Sequence, residues 1–445
     1  MKRAHSACFT SKTLYHRHTF STKSESDRLT VQSHTTPPDG TEHTSLRGWA
    51  VLLLSHLQLS SLRLSSFVLG VFLPFIAQDL ALSPLQAGLL QGVWWVTAAV
   101  AVLPFGVWFS RFSPVAVTRL SMWIVAPLLL LQGFANGFAM LFVARFLAVL
   151  FHSLTIAVRP LLFHQWAVRR QYALINAVGL SQHSLLLAVA VSTGALLIVA
   201  LGSWRGAYYL QAGFVAVQAV VFMLAARESR APVQDMGAAL ANQPTSPLAA
   251  LRKYRQGWLV AIVMFSLASV WTGIVTFLPT LLLEDRGIEI TLGGPLLGFL
   301  YYGLIPGALA GGWVNRKLSN RRVLLAVPAV LNVVLALAIV LTTDAVLLAM
   351  AITALGLVWI AVPAMEMLPF EFEGILPREV AAVSALVAMF AGLGFAAGPM
   401  IVGVVAEVSG SLLTGLVVMA VFSVVGVIAG LLYPVRQVAQ SGVAS

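Results

Sequence analysis

From about residue 47 to 435 the chain is a succession of apolar runs, interrupted by short polar or Gly- and Pro-containing breaks. A helix needs about 20 apolar residues to cross the hydrocarbon core of a bilayer. Runs of that kind lie at 49–78, 84–109, 116–136, 138–163, 172–201, 205–226, 257–283, 291–314, 322–342, 345–368, 379–406 and 411–433. Gly and Pro inside them do not argue against helix, because neighbouring helices re-satisfy the freed backbone groups in a membrane bundle. The longest polar gap among the runs, 227–256, contains Pro232, Pro244 and Pro247 and divides them six and six. The pattern predicts an all-α integral membrane protein with twelve transmembrane helices. Its parts are a six-helix bundle at 47–226, a cytoplasmic linker at 227–256, a second bundle at 257–435 and a short tail at 436–445.

Residues 1–46 are rich in Ser, Thr, His, Lys and Arg and hold almost no apolar run. They read as a disordered cytoplasmic tail. Met1–Lys23 has no acidic residue, so a transit peptide and an over-extended start remain alternatives; the apolar core of a secretory signal is missing.

Charge placement orients the bundle. Lys and Arg collect in cytoplasmic loops. With both termini inside, the inner loops receive Arg111, Arg119, Arg169, Arg170, Arg227, Arg230, Arg252, Lys253, Arg255, Arg316, Lys317, Arg321, Arg322 and Arg378. The outer loops receive only Arg205 and Arg286, and carry Asp79, Glu284, Asp285, Glu289, Asp344 and Glu407. The expected location is a cell membrane, multi-pass. Composition agrees: 59% of residues are hydrophobic and 10% charged, against roughly 25% charged in soluble domains. The net charge of +11 belongs to the loops, so it is a topology signal and not a nucleic-acid patch. Cys8 is the sole cysteine, which excludes an internal disulfide and a Cys-based metal site. No cofactor is implied, and a monomer is expected.

The halves echo each other. Phe72-Leu73-Pro74 and Phe277-Leu278-Pro279 are 205 residues apart, and the same offset carries Gly106-x3-Ser110-Arg111 onto Gly311-x3-Asn315-Arg316. Two matches at one offset indicate an internal duplication. Parallel repeats of this kind suit a carrier whose site lies between them.

These residues resemble the major facilitator superfamily. Its loop between spans two and three is similar to Gly106, Ser110, Arg111 and the later Arg119, with a second copy at Gly311, Asn315, Arg316, Arg321 and Arg322. Both copies lack the acid that the family places there. Arg145 looks like the family's Arg in span four, Trp204-Arg205 like its Trp-Arg pair, and Gly394-x3-Gly398-Pro399 like its Gly-Pro packing motif. Arg63, Gly70 and Pro74 carry a narrower likeness to the cyanate and nitroimidazole porter branch. The resemblance implies two pseudo-symmetric bundles around a central cavity lined by spans one, four and five.

An Arg at a helix centre costs roughly 2.5–3.5 kcal/mol on insertion scales, and Arg63 sits mid-span. Its planar fork suits a carboxylate or similar anion. Arg145, His152 and Arg159 recur every seven residues, as do His56 and Arg63; seven residues is close to two turns and puts each set on one face. His183 in span five and Trp271 in span seven complete the expected solute site. Glu366 is the clear intramembrane acid, and 205 residues beyond Arg159 lies Ala364 beside it. Arg159 and Glu366 are therefore expected to form an inner gate in the outward-open state, with Glu366 alternatively a protonation site. Glu371, Glu373, Arg378 and Glu379 read as a cytoplasmic latch.

Intramembrane cations outnumber acids, which points to secondary transport of a small organic or inorganic anion, with proton symport, uniport and exchange all open. The alternative is a drug–proton antiporter, disfavoured because span five lacks proline and the early acid, Asp79, lies at the outer end of span one. A membrane enzyme would need a motif such as His-Glu-x-x-His, Gly-x-Ser-x-Gly or a Walker loop, and none occurs.

Overall fold

The computed structural model describes residues 43–109, 112–168, 171–226, 247–318 and 320–434. The N-terminal tail, Arg111, most of the linker and the C-terminal tail therefore lie outside the described residues. Among the described residues sixteen α-helices follow one another: α1 Leu46–Phe67, α2 Leu69–Leu80, α3 Pro84–Phe109, α4 Pro114–Gly133, α5 Phe138–Trp166, α6 Tyr172–Leu201, α7 Trp204–Ala225, α8 Pro247–Lys253, α9 Arg255–Glu284, α10 Ile290–Lys317, α11 Arg321–Leu341, α12 Ala345–Val358, α13 Val362–Met367, α14 Pro377–Ser409, α15 Leu412–Phe422 and α16 Val424–Leu432. No strand occurs among the described residues.

Among the described residues ten spans are long and apolar enough to cross a membrane, and α1 with α2, bent by 45°, makes an eleventh. The 28-residue α10 stands where the eighth span is expected. Loops are short, so their polar residues cap helix ends. Ser45, Ser113, Asn320 and Asp344 accept backbone N–H groups at the starts of α1, α4, α11 and α12, supplying partners the first turn lacks. Outward faces carry exposed Leu224, Met350, Val408 and Leu432, as a lipid-facing surface requires.

The ends differ in charge. At the end holding residues 43 and 434, Arg47 donates to Ala225 O, Arg119 to Ala226 O and Arg322 to Tyr433 O. Arg321 there grips Glu371 through two bonds of 2.8 and 2.6 Å. At the opposite end Arg205 pairs with Asp79, which also accepts from Trp204 Nε1. The Trp-Arg pair thus staples the start of α7 to the end of α2.

The halves meet most extensively along α3–α14, α6–α10 and α2–α9. Small residues allow this approach, as in other membrane interfaces. A Cβ on Gly88 would meet Pro399 O, one on Gly403 would meet Pro84 O, and one on Gly70 would collide with the Val275 carbonyl. The Gly394-x3-Gly398 motif packs α14 on α9 in the same way, against the Phe265 and Ser269 carbonyls. Leu85 N–H donates to Glu407 at 3.3 Å and joins the halves at the end opposite the termini.

The expected latch has a definite form. Glu379 is buried and accepts from Leu376 N–H at 3.0 Å, Tyr254 Oη at 3.0 Å and Lys253 Nζ at 3.4 Å. The Leu376 N–H first, then Tyr254 and Lys253, hold its carboxyl below the ordinary value near 4.5. A depressed carboxyl contributes stability above its unfolded pKa and loses it as pH falls through the folded one. Glu379→Gln is expected to lower the thermal midpoint in detergent at pH 7, and the gap to wild type to close below about pH 4. Gly70→Leu should destabilise by about 1–3 kcal/mol through overpacking; an unchanged midpoint would contradict the close α2–α9 contact.

Candidate functional site

A cavity of about 320 Å³ lies between the halves. Arg63 and Phe67 of α1, Trp95 of α3 and His183 of α6 face Trp271 of α9, Tyr301 of α10, Phe395 of α14 and the segment Trp359–Glu366 across it. That segment is broken helix. Pro363 lacks an N–H, and its ring conflicts with the carbonyl four residues back, at Trp359. The chain accordingly passes through a 3₁₀ turn at Trp359–Ala361 between α12 and α13. Irregular backbone at membrane depth is tolerated where it lines a cavity.

Arg63 lines this cavity half-buried and makes no hydrogen bond or ion pair with any described residue. Glu366 lines it from the other half, exposed and likewise without a described partner. His183 Nδ1 lies 3.0 Å from Ser60 Oγ, whose own proton goes to His56 O at 2.8 Å. Ser60 Oγ must then accept from Nδ1–H, and neutral His183 keeps Nε2 as an acceptor. A separate groove of about 400 Å³ among α1, α2, α6 and α7 has no charged side chain; it opens beside the exposed Val189 and Leu210 on the lipid face.

Of the sequence-predicted residues, Arg63, His183, Trp271 and Glu366 come together here. Arg145, His152, Arg159 and His56 do not line the cavity. The physical reason is the setting of α5, which packs on α1, α3 and α4, so its row of sevens turns into the first half. Arg145 is fully buried and saturated: Nε donates to Leu90 O at 2.7 Å, Nη1 to Ser65 O at 2.8 Å and Nη2 to Gln91 Oε1 at 3.1 Å. Ser65 O is the carbonyl that a continuous helix would offer to Leu69 N–H, and the α1–α2 break follows at Val68. A side chain entering the helical ladder is a recognised cause of bending. Trp94 fills the space between Arg145, 5.2 Å from its ring, and His152, 6.1 Å between centroids. Neither nitrogen of His152 has a partner among the described residues. Arg159 Nη2 lies 2.7 Å from His56 Nδ1, and in this conformation no ion pair joins it to Glu366. Gly106 lies in the last turn of α3, and Gly311, Asn315 and Arg316 in the last turns of α10. Arg321 and Arg322 are tied to Glu371 and Tyr433 as described above.

Six aromatic rings line the cavity in a closed circuit. Phe67–Trp95 centroids are 5.4 Å apart, Trp95–Phe395 4.3 Å, Phe395–Trp359 5.7 Å, Trp359–Trp271 4.7 Å, Trp271–Tyr301 5.6 Å and Tyr301–Phe67 5.8 Å. Sequence reasoning singled out Trp271. It missed Phe67, Tyr301, Trp359 and Phe395, because an aromatic on an apolar helix carries no mark of which face it occupies. The one usable signal was Pro363, which predicts a break next to Trp359.

The two arginines should respond oppositely to substitution. Arg145→Gln strands the Ser65 carbonyl and Gln91 Oε1 and is expected to cost about 2–3 kcal/mol, seen as a lower thermal midpoint in detergent. Arg63→Gln breaks no described bond and should leave that midpoint unchanged or raise it.

The sequence profile of the Major Facilitator Superfamily matches residues 57–372. The fold is similar to crystal structures of a bacterial homologue of the human lysosomal transporter Spinster. In its inward-facing unoccupied form the TM-score is 0.63 at 17% identity, over 88% of this chain and 95% of that one. The inward-facing occupied form gives 0.65 at 17% identity, over 86% and 95%. The nucleoside transporter NupG gives 0.68 at 15% identity, over 87% and 98%. A comparison with curated proteins finds no match. At these identities the structures establish the fold alone, and the narrower likeness to cyanate and nitroimidazole porters rests on Arg63, Gly70 and Pro74. The profile covers well over half of the sequence, and the chain belongs to the major facilitator superfamily of membrane transporters.

Proposed function

We propose that this transporter carries a small anion by alternating access, binding it on Arg63 in the cavity between the halves. The observation that carries the reading is the guanidinium of Arg63, which lines that cavity with all its donors unclaimed by described residues. A buried cation without partners is costly, and a carboxylate or similar anion matches its fork. The Arg- and Lys-rich end is read as cytoplasmic. Closure by α2 and α9 at the other end makes this conformation inward-open. Glu366 is the proton-coupling group, and its pairing with Arg159 belongs to the outward-open state, when Arg159 leaves His56.

Counterflow in proteoliposomes against a panel of small anions tests the reading. Arg63→Ala should abolish exchange of the transported anion. Glu366→Gln should retain exchange and lose its dependence on pH; a wild-type pH profile in that variant would remove the coupling role. Movement of cationic dyes with no anion transported would reverse the assignment in favour of a drug–proton antiporter.

A further inference from the structure

We propose that the transported anion is a planar aromatic monocarboxylate, whose ring stacks on the six-ring collar while its carboxylate meets Arg63. The inference rests on the anion reading above and adds the solute's body to its charge.

Depth along the helices supports it. The collar lies just inside the closed end: Trp271 is one turn before Val275 on α9, and Phe67 is three residues before Gly70, where the two backbones touch. Arg63 is one turn from Phe67 on the same helix face, about 6 Å along the axis. Glu366 is seven residues from Trp359 across the 3₁₀ turn, at least about 10 Å along the segment. A small rigid solute seated on the collar therefore brings its charged group to Arg63 and falls short of Glu366. The geometry disfavours a compact aromatic cation, which would need the reverse order. A cavity of about 320 Å³ is at the small end of ligand pockets, fitting one or two fused rings.

The collar itself favours a π-face over an aliphatic chain. Trp95 and Phe395 are near parallel at 29°, and Phe395 and Trp359 at 23°, so flat faces are already aligned as a platform. The collar also contains donors without a partner among the described residues: Trp95 Nε1 and Trp359 Nε1 are buried and unbonded. Phe67 and Trp95 come from the first half and the other four rings from the second. Parting of the halves must break Phe67–Tyr301 and Trp95–Phe395, and a ring stacked on the collar replaces those lost contacts.

Binding is read by quenching of the native tryptophan fluorescence of the full chain in detergent, and transport by counterflow, with four probes. These are benzoate, 2-naphthoate, cyclohexanecarboxylate and uridine, with phenylalanine and phenyltrimethylammonium as charge controls. Benzoate or 2-naphthoate should bind and exchange, with cyclohexanecarboxylate about tenfold weaker. Phe395→Leu should remove that preference by weakening the aromatic acids more than the aliphatic one, and Phe395→Tyr should restore it. Equal handling of cyclohexanecarboxylate and benzoate would overturn the aromatic inference and leave the anion reading intact. No response to any of these acids would likewise overturn the aromatic inference, and preference for phenylalanine, uridine or phenyltrimethylammonium would overturn both.

Discussion

A guanidinium in a hydrocarbon slab must be given acceptors by the protein or left facing water and solute, and this bundle does one of each. Arg145 is surrounded by carbonyl and amide oxygens from α1 and α3 and locks three helices of the first half together. Arg63, about one and a half turns from the α1–α2 bend, receives none from the described residues. The organisation of the interior follows from that contrast. One arginine builds the wall, and the other is held out into the space that the wall encloses. The clamp also sits at the bend that turns α2 against α9.

The closed end depends on small residues. Gly70 lets α2 lie on the Val275 backbone, and Gly88 and Gly403 do the same for α3 and α14. Dispersion and close fit replace the hydrophobic drive that lipid removes. Beneath these contacts the aromatic collar seals the cavity, and the Pro363 break supplies both Trp359 to the collar and Glu366 to the wider space below. A bulky residue at a contact or a continuous helix through Trp359–Ala361 would each disturb the same site from different sides.

Charges at the two ends are arranged to hold short loops and helix ends in place. Arg321 on Glu371, Arg205 on Asp79 and Lys253 on Glu379 each tie neighbouring elements of one half. Leu85–Glu407 instead bridges the halves at the closed end. The family's usual acid is missing from both of its repeated loops. In the second copy Arg321 finds its carboxylate on the following span, at Glu371.

The order of the membrane-crossing helices and the charge difference between the ends were legible in the sequence, because each follows from local composition and from the length of a membrane span; twelve runs were read where the described residues hold ten spans and an eleventh that is bent. Arg63 and Glu366 stood out for the same reason: an ion in an apolar run is visible without coordinates. Which buried cation is satisfied was not legible. Arg145 and Arg63 have similar surroundings in sequence, and only the rotation of α5 onto α1 and α3 separates wall from cavity. The collar was equally hidden, since six rings from six segments of the chain meet only when two bundles dock. Helix rotation and docking arise from packing summed over many neighbours, and no single run of residues encodes them.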